Sequence, residues 1–190
     1  MKGFQVSYCL VAFGANIAGP FGTPFQTLVR GIEEFPNEKL VKVRQSAFYT
    51  STSFPNNSKP RYINGCLKIK VDCTPYEVLQ RLKRIEEKMG RLNGERWDSR
   101  VCDLDLLAFE NEVIPNKKIF QYWYKLSLKN QFLEKPSELL VPHPRIQDRA
   151  FVLKPLLEVA PDWTHPVFNL NVKEMFNFLS QTKRDDVLKF

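Results

Sequence analysis

Several features that would assign a protein to a common class are missing from this sequence. It has no run of about 18 uninterrupted apolar residues, which a membrane-spanning helix requires. Its N-terminus, MKGFQVSYCLVAFG, has no long apolar segment of the kind that marks a secretory signal. Internal repeats and low-complexity linkers are absent as well. We therefore expect neither export nor insertion into a membrane.

The cysteines lack the spacing of a metal site or a redox motif. Cys9, Cys66, Cys73 and Cys102 form no CxxC pair, and all except Cys73 lie within apolar or strand-like runs. Such thiols are usually buried and reduced. The pattern predicts a cytoplasmic protein, with disulfides as the less favoured alternative.

The composition is that of a globular protein with an excess of positive charge. At 190 residues the chain is most simply one domain, and 43% apolar with 26% charged residues argues against disorder. The net charge of +7 predicts an anionic partner, which could be a nucleotide, a nucleic acid or an anionic membrane. The chain has no P-loop and no Gly-rich kinase loop, so phosphoryl transfer would need a different scaffold.

Hydrophobic periodicity predicts alternating strands and helices. Strands are predicted at 4–13, 41–49, 63–71 and 102–109, and helices at 23–35, 74–89, 147–158 and 172–180. The order β-α-β-β-α-β with appended helices predicts an α+β fold, in which helices pack on a ferredoxin-like antiparallel sheet in three α-β-α layers. Residues 115–137 show no clear period and are predicted to be an inserted excursion within a single domain, 1–190.

The stretch RWDSRVCDLDLLAF, residues 96–109, places Asp103 and Asp105 on one face of a predicted strand. Their Cα atoms would lie about 6.6 Å apart, and at an effective dielectric near 20 the two charges would repel by roughly 2.4 kcal/mol. A solvated strand face beside lysines is one explanation. A divalent cation is the other, because Mg²⁺ typically uses one or two carboxylates together with substrate phosphates.

Basic residues surround this pair in the sequence. Arg91, Arg96 and Arg100 precede it, and the segment PHPRIQDR supplies His143, Arg145 and Arg149. The arginines could form ordinary salt bridges, which contribute little when exposed. They could also hold a phosphate chain bidentately while the aspartates hold its metal ion.

Four motifs resemble those of a known family. The segment from Arg96 to DLDLL is similar to R-W-G-P-R-x-x-D-L-D-[LI]-[LM], and VPHPRIQDRAFVLKPLLEVAPDW is similar to P-H-x-x-x-x-x-R-x-F-x-L-x-P-L-x-E-[IV]-A-P. VAFGANI and the YIN at 62–64 are similar to the family's G-[SA]-N and Y-[LI]-N. The chain thereby resembles 6-hydroxymethyl-7,8-dihydropterin pyrophosphokinase of folate biosynthesis.

The resemblance implies a reaction and a set of phosphate-binding residues. The enzyme would move the β,γ-pyrophosphoryl group of ATP onto the hydroxymethyl oxygen of 6-hydroxymethyl-7,8-dihydropterin and release AMP. Two Mg²⁺ ions would bind Asp103 and Asp105. The triphosphate would be bound by Arg91, Arg100, His143 and Arg149. Arg91 and Arg100 would also be catalytic.

The resemblance also implies a pterin site. Tyr62 and Phe151 would sandwich the ring, Asn64 would bind its edge, and Trp97 would lie in a loop that closes over it. Flat heteroaromatic ligands need such π-faces and edge partners. The sequence departs from the family pattern at Asp98-Ser99, which replaces Gly-Pro, and at Thr50, where arginine is expected.

Two alternatives of other classes remain open at this point. An RNA-binding module shares the predicted strand order and a basic charge, but no segment supplies its RNP1 motif. A binding protein that retained the pterin site and lost the chemistry would match the loop departures, although both aspartates and Arg100 argue against it. We expect a monomer that binds no nucleic acid.

Overall fold

The computed structural model describes residues 6–54, 57–91 and 99–190. The strands are Ser7–Ala15 (β1), Val41–Gln45 (β2), Tyr49–Ser51 (β3), Tyr62–Val71 (β4), Asp103–Phe109 (β5) and Leu188–Lys189 (β6). The helices are Pro24–Glu33 (α1), Pro75–Lys88 (α2), Lys117–Lys125 (α3), Leu128–Leu133 (α4), Ala150–Val159 (α5), Val172–Phe178 (α6) and Gln181–Asp185 (α7). Short 3₁₀ helices occupy Pro36–Glu38 and Ile146–Asp148.

The strands form one antiparallel sheet in the order β5-β1-β4-β3-β6, and β2 pairs with the far end of β4. Successive side chains of the central strand β1 point to opposite faces. Val11 and Phe13 therefore join a core that contains Leu28 of α1 and Leu82 of α2. Leu10 joins a second core on the other face, formed with the buried residues of α5 and α6. These three layers confirm the predicted ferredoxin-like α+β fold.

Local sequence signals determine where the first two long helices begin. Thr23 and Thr74 are N-caps whose hydroxyl oxygens accept the N–H of Gln26 and Glu77, each at 3.3 Å. Both caps are completed by the reciprocal side-chain bond of a capping box. Loss of such a cap typically costs about 1 kcal/mol. The two caps therefore stabilise α1 and α2 with these residues as their starting points.

The structure corrects the predicted strand 41–49. The strand is interrupted between β2 and β3, where Ser46 leaves the regular ladder and binds Cys66 of β4 instead. The Ser46 N–H donates to the Cys66 carbonyl at 3.0 Å, and its hydroxyl accepts the Cys66 N–H at 2.9 Å. A side chain that competes for backbone partners in this way cannot be recognised from alternation alone.

The excursion at 115–137 is helical rather than irregular. α3 begins at the N-cap Asn116 and α4 at the N-cap Ser127. Phe120 and Tyr124, one turn apart on α3, have parallel rings with centroids 6.4 Å apart. The spacing of these two aromatic residues was a helical signal, but the surrounding lysines and aromatics concealed it.

The cysteines and the helices were also the subject of predictions from the sequence. All four cysteines are buried and free of disulfides, as predicted. Within the described ranges, no helix combines the length and the apolarity needed to cross a membrane.

Candidate active site

The two aspartates of β5 lie on the face that their spacing predicts. Leu104 and Leu106 point away from them and are buried in the core. The side chains of Asp103 and Asp105 retain 30% and 38% of their surface exposed. Both carboxylates are therefore open to a ligand while their strand is fixed by packing on its other side.

The strand register explains why this face has space for a ligand. Gly14 of β1 pairs with Asp103 on one side and with Asn64 of β4 on the other, and Ala12 pairs with Asp105. A Cβ atom at Gly14 would lie 3.0 Å from Asn64 Oδ1, which is closer than nearly all such contacts. Glycine at this position therefore avoids a side chain that would crowd the Asn64 amide between the two neighbouring strands.

Three arginines from three different segments converge on the aspartates. Arg91 Nη1 and Arg100 Nη1 each lie 3.0 Å from Asp103 Oδ1. Arg149 Nη1 lies 3.6 Å from Asp105 Oδ2. Planar guanidinium groups can bind phosphate oxygens in pairs, so these three side chains could contact a phosphate chain.

The arginines do not offset the burial of Asp103 and its repulsion by Asp105. Burial, followed by the charge of Asp105, raises the pKa of Asp103 to about 6, although Arg100 and Arg149 act in the opposite direction. A divalent cation would relieve this repulsion. Two carboxylates fit Mg²⁺, which commonly takes its other ligands from water and phosphate. Across the part of the chain that the structure describes, no cluster of three or more acidic, His or Cys side chains forms a cage supplied by protein alone.

Glu86 is a site residue that the sequence reasoning missed. It lies on the buried side of α2, is 5% exposed, and its Oε1 accepts the N–H of Leu104 at 2.7 Å. The same oxygen contacts the guanidinium of Arg91. Glu86 thereby fixes both the backbone between the two aspartates and one of the arginines. Its position, one turn after Leu82 on the apolar stripe of the helix, was the signal available in the sequence.

Glu86→Gln should change how stability depends on pH. Burial, followed by the charge of Asp103, raises the pKa of Glu86 to about 9. A carboxyl group with a raised pKa favours the folded state below its unfolded pKa, and that advantage is lost as pH rises through the folded value. Relative to Glu86→Gln, the wild-type free energy of unfolding should therefore fall between pH 5 and pH 9, by on the order of 1 kcal/mol or more.

Urea denaturation of both proteins across this pH range measures the difference. The exposed neighbour on the same helix provides the control, since Glu87→Gln should leave the pH dependence of wild type unchanged. Parallel curves for wild type and Glu86→Gln would contradict the raised pKa.

His143 is placed beside the arginines by its backbone. Its N–H donates to the carbonyl of Leu107 in β5 at 2.8 Å, and its Nδ1 accepts the N–H of Arg145 at 3.1 Å. Burial, reinforced by the charge of Arg149, holds the pKa of His143 well below its usual range. The ring is therefore neutral with its proton on Nε2, which makes that nitrogen a hydrogen-bond donor.

The predicted pterin residues border the same cavity. Tyr62 begins β4 and Phe151 lies in the first turn of α5. Asn64 is 5% exposed, and its Nδ2 donates to Ser51 Oγ at 2.9 Å, which fixes the orientation of the amide. The Arg149 guanidinium lies 5.7 Å from the ring centroid of Phe151, so the aromatic and phosphate-binding residues adjoin.

The two aspartates, the three arginines, His143 and the predicted pterin residues of β4 and α5 line one cavity of about 900 Å³. Nine of the ten residues singled out from the sequence lie in its wall: Tyr62, Asn64, Arg91, Arg100, Asp103, Asp105, His143, Arg149 and Phe151. The tenth, Trp97, lies outside the described residues, as do Arg96 and Asp98. The structure therefore assembles the predicted polar and aromatic residues around a space large enough for two small ligands.

Comparison with known proteins agrees with this geometry. The family model for 7,8-dihydro-6-hydroxymethylpterin-pyrophosphokinase matches residues 10–161. The chain belongs to this family. It is therefore a pyrophosphokinase, and the matched range includes every predicted site residue.

Curated relatives and solved structures support the assignment. The 2-amino-4-hydroxy-6-hydroxymethyldihydropteridine pyrophosphokinase of Synechocystis is 35% identical over 163 residues, which are 85% of this chain and 71% of the relative. The enzyme of the same name from Haemophilus influenzae is 31% identical over 82% of this chain and 83% of its own length. The HPPK-DHPS of Plasmodium falciparum aligns with 93% of this chain at a TM-score of 0.61 and 15% identity, which shows the fold. This chain covers 44% of that longer protein.

A second residue that sequence reasoning missed lies at the end of β1 in this pyrophosphokinase. Asn16 is 3% exposed, and its Oδ1 accepts the N–H of Arg100 at 2.7 Å. Its Nδ2 lies 3.3 Å from Ser99 Oγ, 3.2 Å from the carbonyl of Pro60 and 3.4 Å from Ser53 Oγ. The G-A-N motif thus contributes an amide that connects the segments on both sides of the cavity.

Arg145, which the sequence groups with the basic site residues, has a different set of partners. Its guanidinium donates to the carbonyls of Trp123, Tyr124 and Leu126 at 3.2, 2.9 and 2.7 Å. These carbonyls belong to the end of α3, where helix carbonyls lack intrahelical partners. Arg145 therefore attaches the helical excursion to the segment that carries His143.

Proposed function

We propose that this pyrophosphokinase transfers the β,γ-pyrophosphoryl group of ATP to 6-hydroxymethyl-7,8-dihydropterin in folate biosynthesis. The hydroxymethyl oxygen forms a bond to the β-phosphorus, the bond from that phosphorus to the α,β-bridging oxygen breaks, and AMP leaves. The hydroxyl proton passes to solvent in the same process. The observation that carries the proposal is the convergence of Arg91, Arg100 and Arg149 on Asp103 and Asp105 within one cavity.

The phosphate end of the cavity would bind ATP. Arg91, Arg100 and Arg149 supply positive charge where negative charge develops on the transferred group, and their pairing with aspartates holds them in position before substrate binds. The neutral His143 would donate a hydrogen bond from Nε2 to a phosphate oxygen. Phosphoryl transfer needs little covalent help, so positioning and charge stabilisation are sufficient roles for these residues.

Asp103 and Asp105 would hold two Mg²⁺ ions together with the triphosphate. The fit rests on the two partly exposed carboxylates and on the raised pKa of Asp103, which burial and the charge of Asp105 cause despite the nearby arginines. When bound, the ions would neutralise phosphate charge and polarise the phosphoryl oxygens.

The part of the cavity that Tyr62, Asn64 and Phe151 line would bind the pterin. Tyr62 and Phe151 offer aromatic faces, and Asn64 offers an amide oxygen whose partner NH₂ group is already bound by Ser51. A site built to hydrogen-bond polar groups of its ligand strongly rejects analogues that lack those groups. Trp97 remains proposed as part of a loop that covers this end.

We also propose that residues 1–190 form a single pyrophosphokinase domain, with 115–137 as an inserted helical excursion. We expect this domain to act as a cytoplasmic monomer without nucleic acid. Sedimentation of the purified protein with and without added RNA would test the last two points.

The direct test of the function is AMP formation from MgATP with and without 6-hydroxymethyl-7,8-dihydropterin. We expect AMP only when both substrates are present, in a one-to-one ratio with the dihydropterin diphosphate. Pterin binding without AMP formation would instead support the binding relative that has lost catalysis. Retention of RNA without pterin binding would support the RNA-binding alternative.

Tyr62→Ala and Phe151→Ala should each weaken pterin binding by about 1 to 3 kcal/mol, because each removes a stacking face and its buried area. The affinity for ATP should barely change. Calorimetric titration with each ligand measures both, and Tyr76→Ala, which removes an exposed tyrosine of α2, is the control. A loss confined to ATP would show that the pterin site has been misplaced.

A further inference from the structure

The C-terminal segment contributes a carboxylate to the wall of the cavity. Asp186 follows α7, and its Oδ2 accepts the N–H of Thr52 at 2.9 Å. Its Oδ1 accepts the Thr52 hydroxyl proton and, at 3.1 Å, a bond from Arg61 Nη1. Arg61 also donates from Nη2 to the main-chain oxygen of Asp186 at 2.7 Å and from Nη1 to Thr52 Oγ1 at 3.0 Å. We refer to Thr52, Arg61 and Asp186 as the C-terminal clamp.

The clamp is held together by charge-assisted bonds. Burial alone would raise the pKa of Asp186, but the hydrogen bonds from Thr52 and the charge and hydrogen bond of Arg61 outweigh it and lower the pKa. The carboxylate is therefore ionised at neutral pH. Bonds to an ionised acceptor are about twice as strong as those between neutral groups.

Asp186 lies in a C-terminal segment that hydrogen bonds hold to the sheet and to α5. Directly after it, β6 pairs with β3, with Leu188 opposite Thr50. The N–H of Phe190 donates to the carbonyl of Phe48 at 2.9 Å, and Lys154 of α5 donates to the carbonyl of Val187 at 2.5 Å. The sheet and α5 thus fix the position from which Asp186 acts.

Each of the other two clamp residues adjoins a residue of the proposed pterin site. Arg61 directly precedes Tyr62, whose ring lies in the cavity wall. Thr52 directly follows Ser51, whose hydroxyl accepts the amide N–H of Asn64. One carboxylate therefore holds the backbone beside the stacking residue and beside the residue that orients the amide.

We propose that Asp186 is a positioning residue for the pterin, acting through Thr52 and Arg61. This inference rests on the proposed function and assigns a role in substrate selection to the C-terminal segment. The contacts that the structure gives Asp186 all lie on the pterin side of the cavity. Its removal should therefore affect pterin binding selectively, whereas a purely structural contact would lower stability without separating the two substrates.

The test compares Asp186→Ala with Asp185→Ala, which removes an exposed carboxylate one residue earlier, bonded only to Gln181 in the contacts described. Binding of 6-hydroxymethylpterin is titrated calorimetrically in the presence of Mg²⁺ and a non-hydrolysable ATP analogue. We expect Asp186→Ala to weaken pterin affinity about five- to twentyfold, which is roughly the effect of losing one hydrogen bond. Affinity for the ATP analogue and kcat at saturating pterin should change less than threefold. Asp185→Ala should match wild type.

Arg61 variants provide a second measurement. Because the Arg61 side chain is 45% exposed, these variants should fold even if Asp186→Ala folds poorly. Arg61→Ala should weaken pterin affinity in the same direction, and Arg61→Lys should recover part of it. Unchanged pterin affinity in folded Asp186 and Arg61 variants, or an equal loss for both ligands, would overturn the positioning role while leaving the proposed function intact. A wild-type protein that forms no AMP and binds no pterin would overturn both.

Discussion

Asp103→Asn and Asp105→Asn should each lower the rate of AMP formation by about a thousandfold or more at saturating Mg²⁺. Each change would remove a charged oxygen ligand from the proposed Mg²⁺ site, and an amide is a poor substitute for a carboxylate toward a hard cation. Steady-state measurement of AMP at increasing Mg²⁺ checks the prediction. Asp162→Asn, which removes an exposed aspartate elsewhere, is the control.

The fold should survive these substitutions, and this separates loss of chemistry from loss of structure. Asp105 is a source of the repulsion that raises the pKa of Asp103. Removing its charge should therefore leave the thermal midpoint in EDTA unchanged or slightly higher. Near-wild-type kcat in either variant would contradict the metal assignment, and unfolding of both would show that the pair serves the fold.

Arg100→Lys should lower kcat on the order of a hundredfold, with a smaller rise in the KM for ATP. A lysine ammonium keeps the charge but cannot bind two phosphate oxygens in one plane, and loss of one preorganised donor in a transition state commonly costs this much. The backbone should not move. The Arg100 N–H and carbonyl are bound by Asn16 at 2.7 and 2.9 Å, independently of the side chain.

Kinetics over an ATP titration separate the two possible effects. A contact that strengthens in the transition state lowers kcat, whereas a contact equal in both states raises KM alone. Arg44→Lys, an exposed change on β2, should behave as wild type. A wild-type kcat in Arg100→Lys would mean that its pairing with Asp103 is structural.

The sequence predicted the site where its information was local. The alternation of Asp103 and Asp105 with Leu104 and Leu106 determined the shared face of the two carboxylates, because strand side chains alternate. The order of strands and helices followed from hydrophobic period and from threonine caps. The basic and aromatic residues could be selected only because several motifs coincided.

The residues that were missed depend on contacts distant in sequence. Glu86 binds the backbone of a strand 18 positions later, and Asp186 binds Thr52 across 134 positions. β6 has two residues, too few for any periodic signal, and exists because β3 offers it an edge. Such pairings are decided by tertiary packing, which no local pattern records.

The contacts of Asn16 have a consequence for how the two substrates influence each other. One amide binds Ser99 and Arg100 beside the phosphate end and Ser53 and Pro60 beside the pterin end. The shared amide couples the two segments, so a ligand that fixed one of them would also favour one position of the other. Thermodynamic linkage then requires reciprocity: the factor by which ATP raises affinity for the pterin equals the factor by which the pterin raises affinity for ATP.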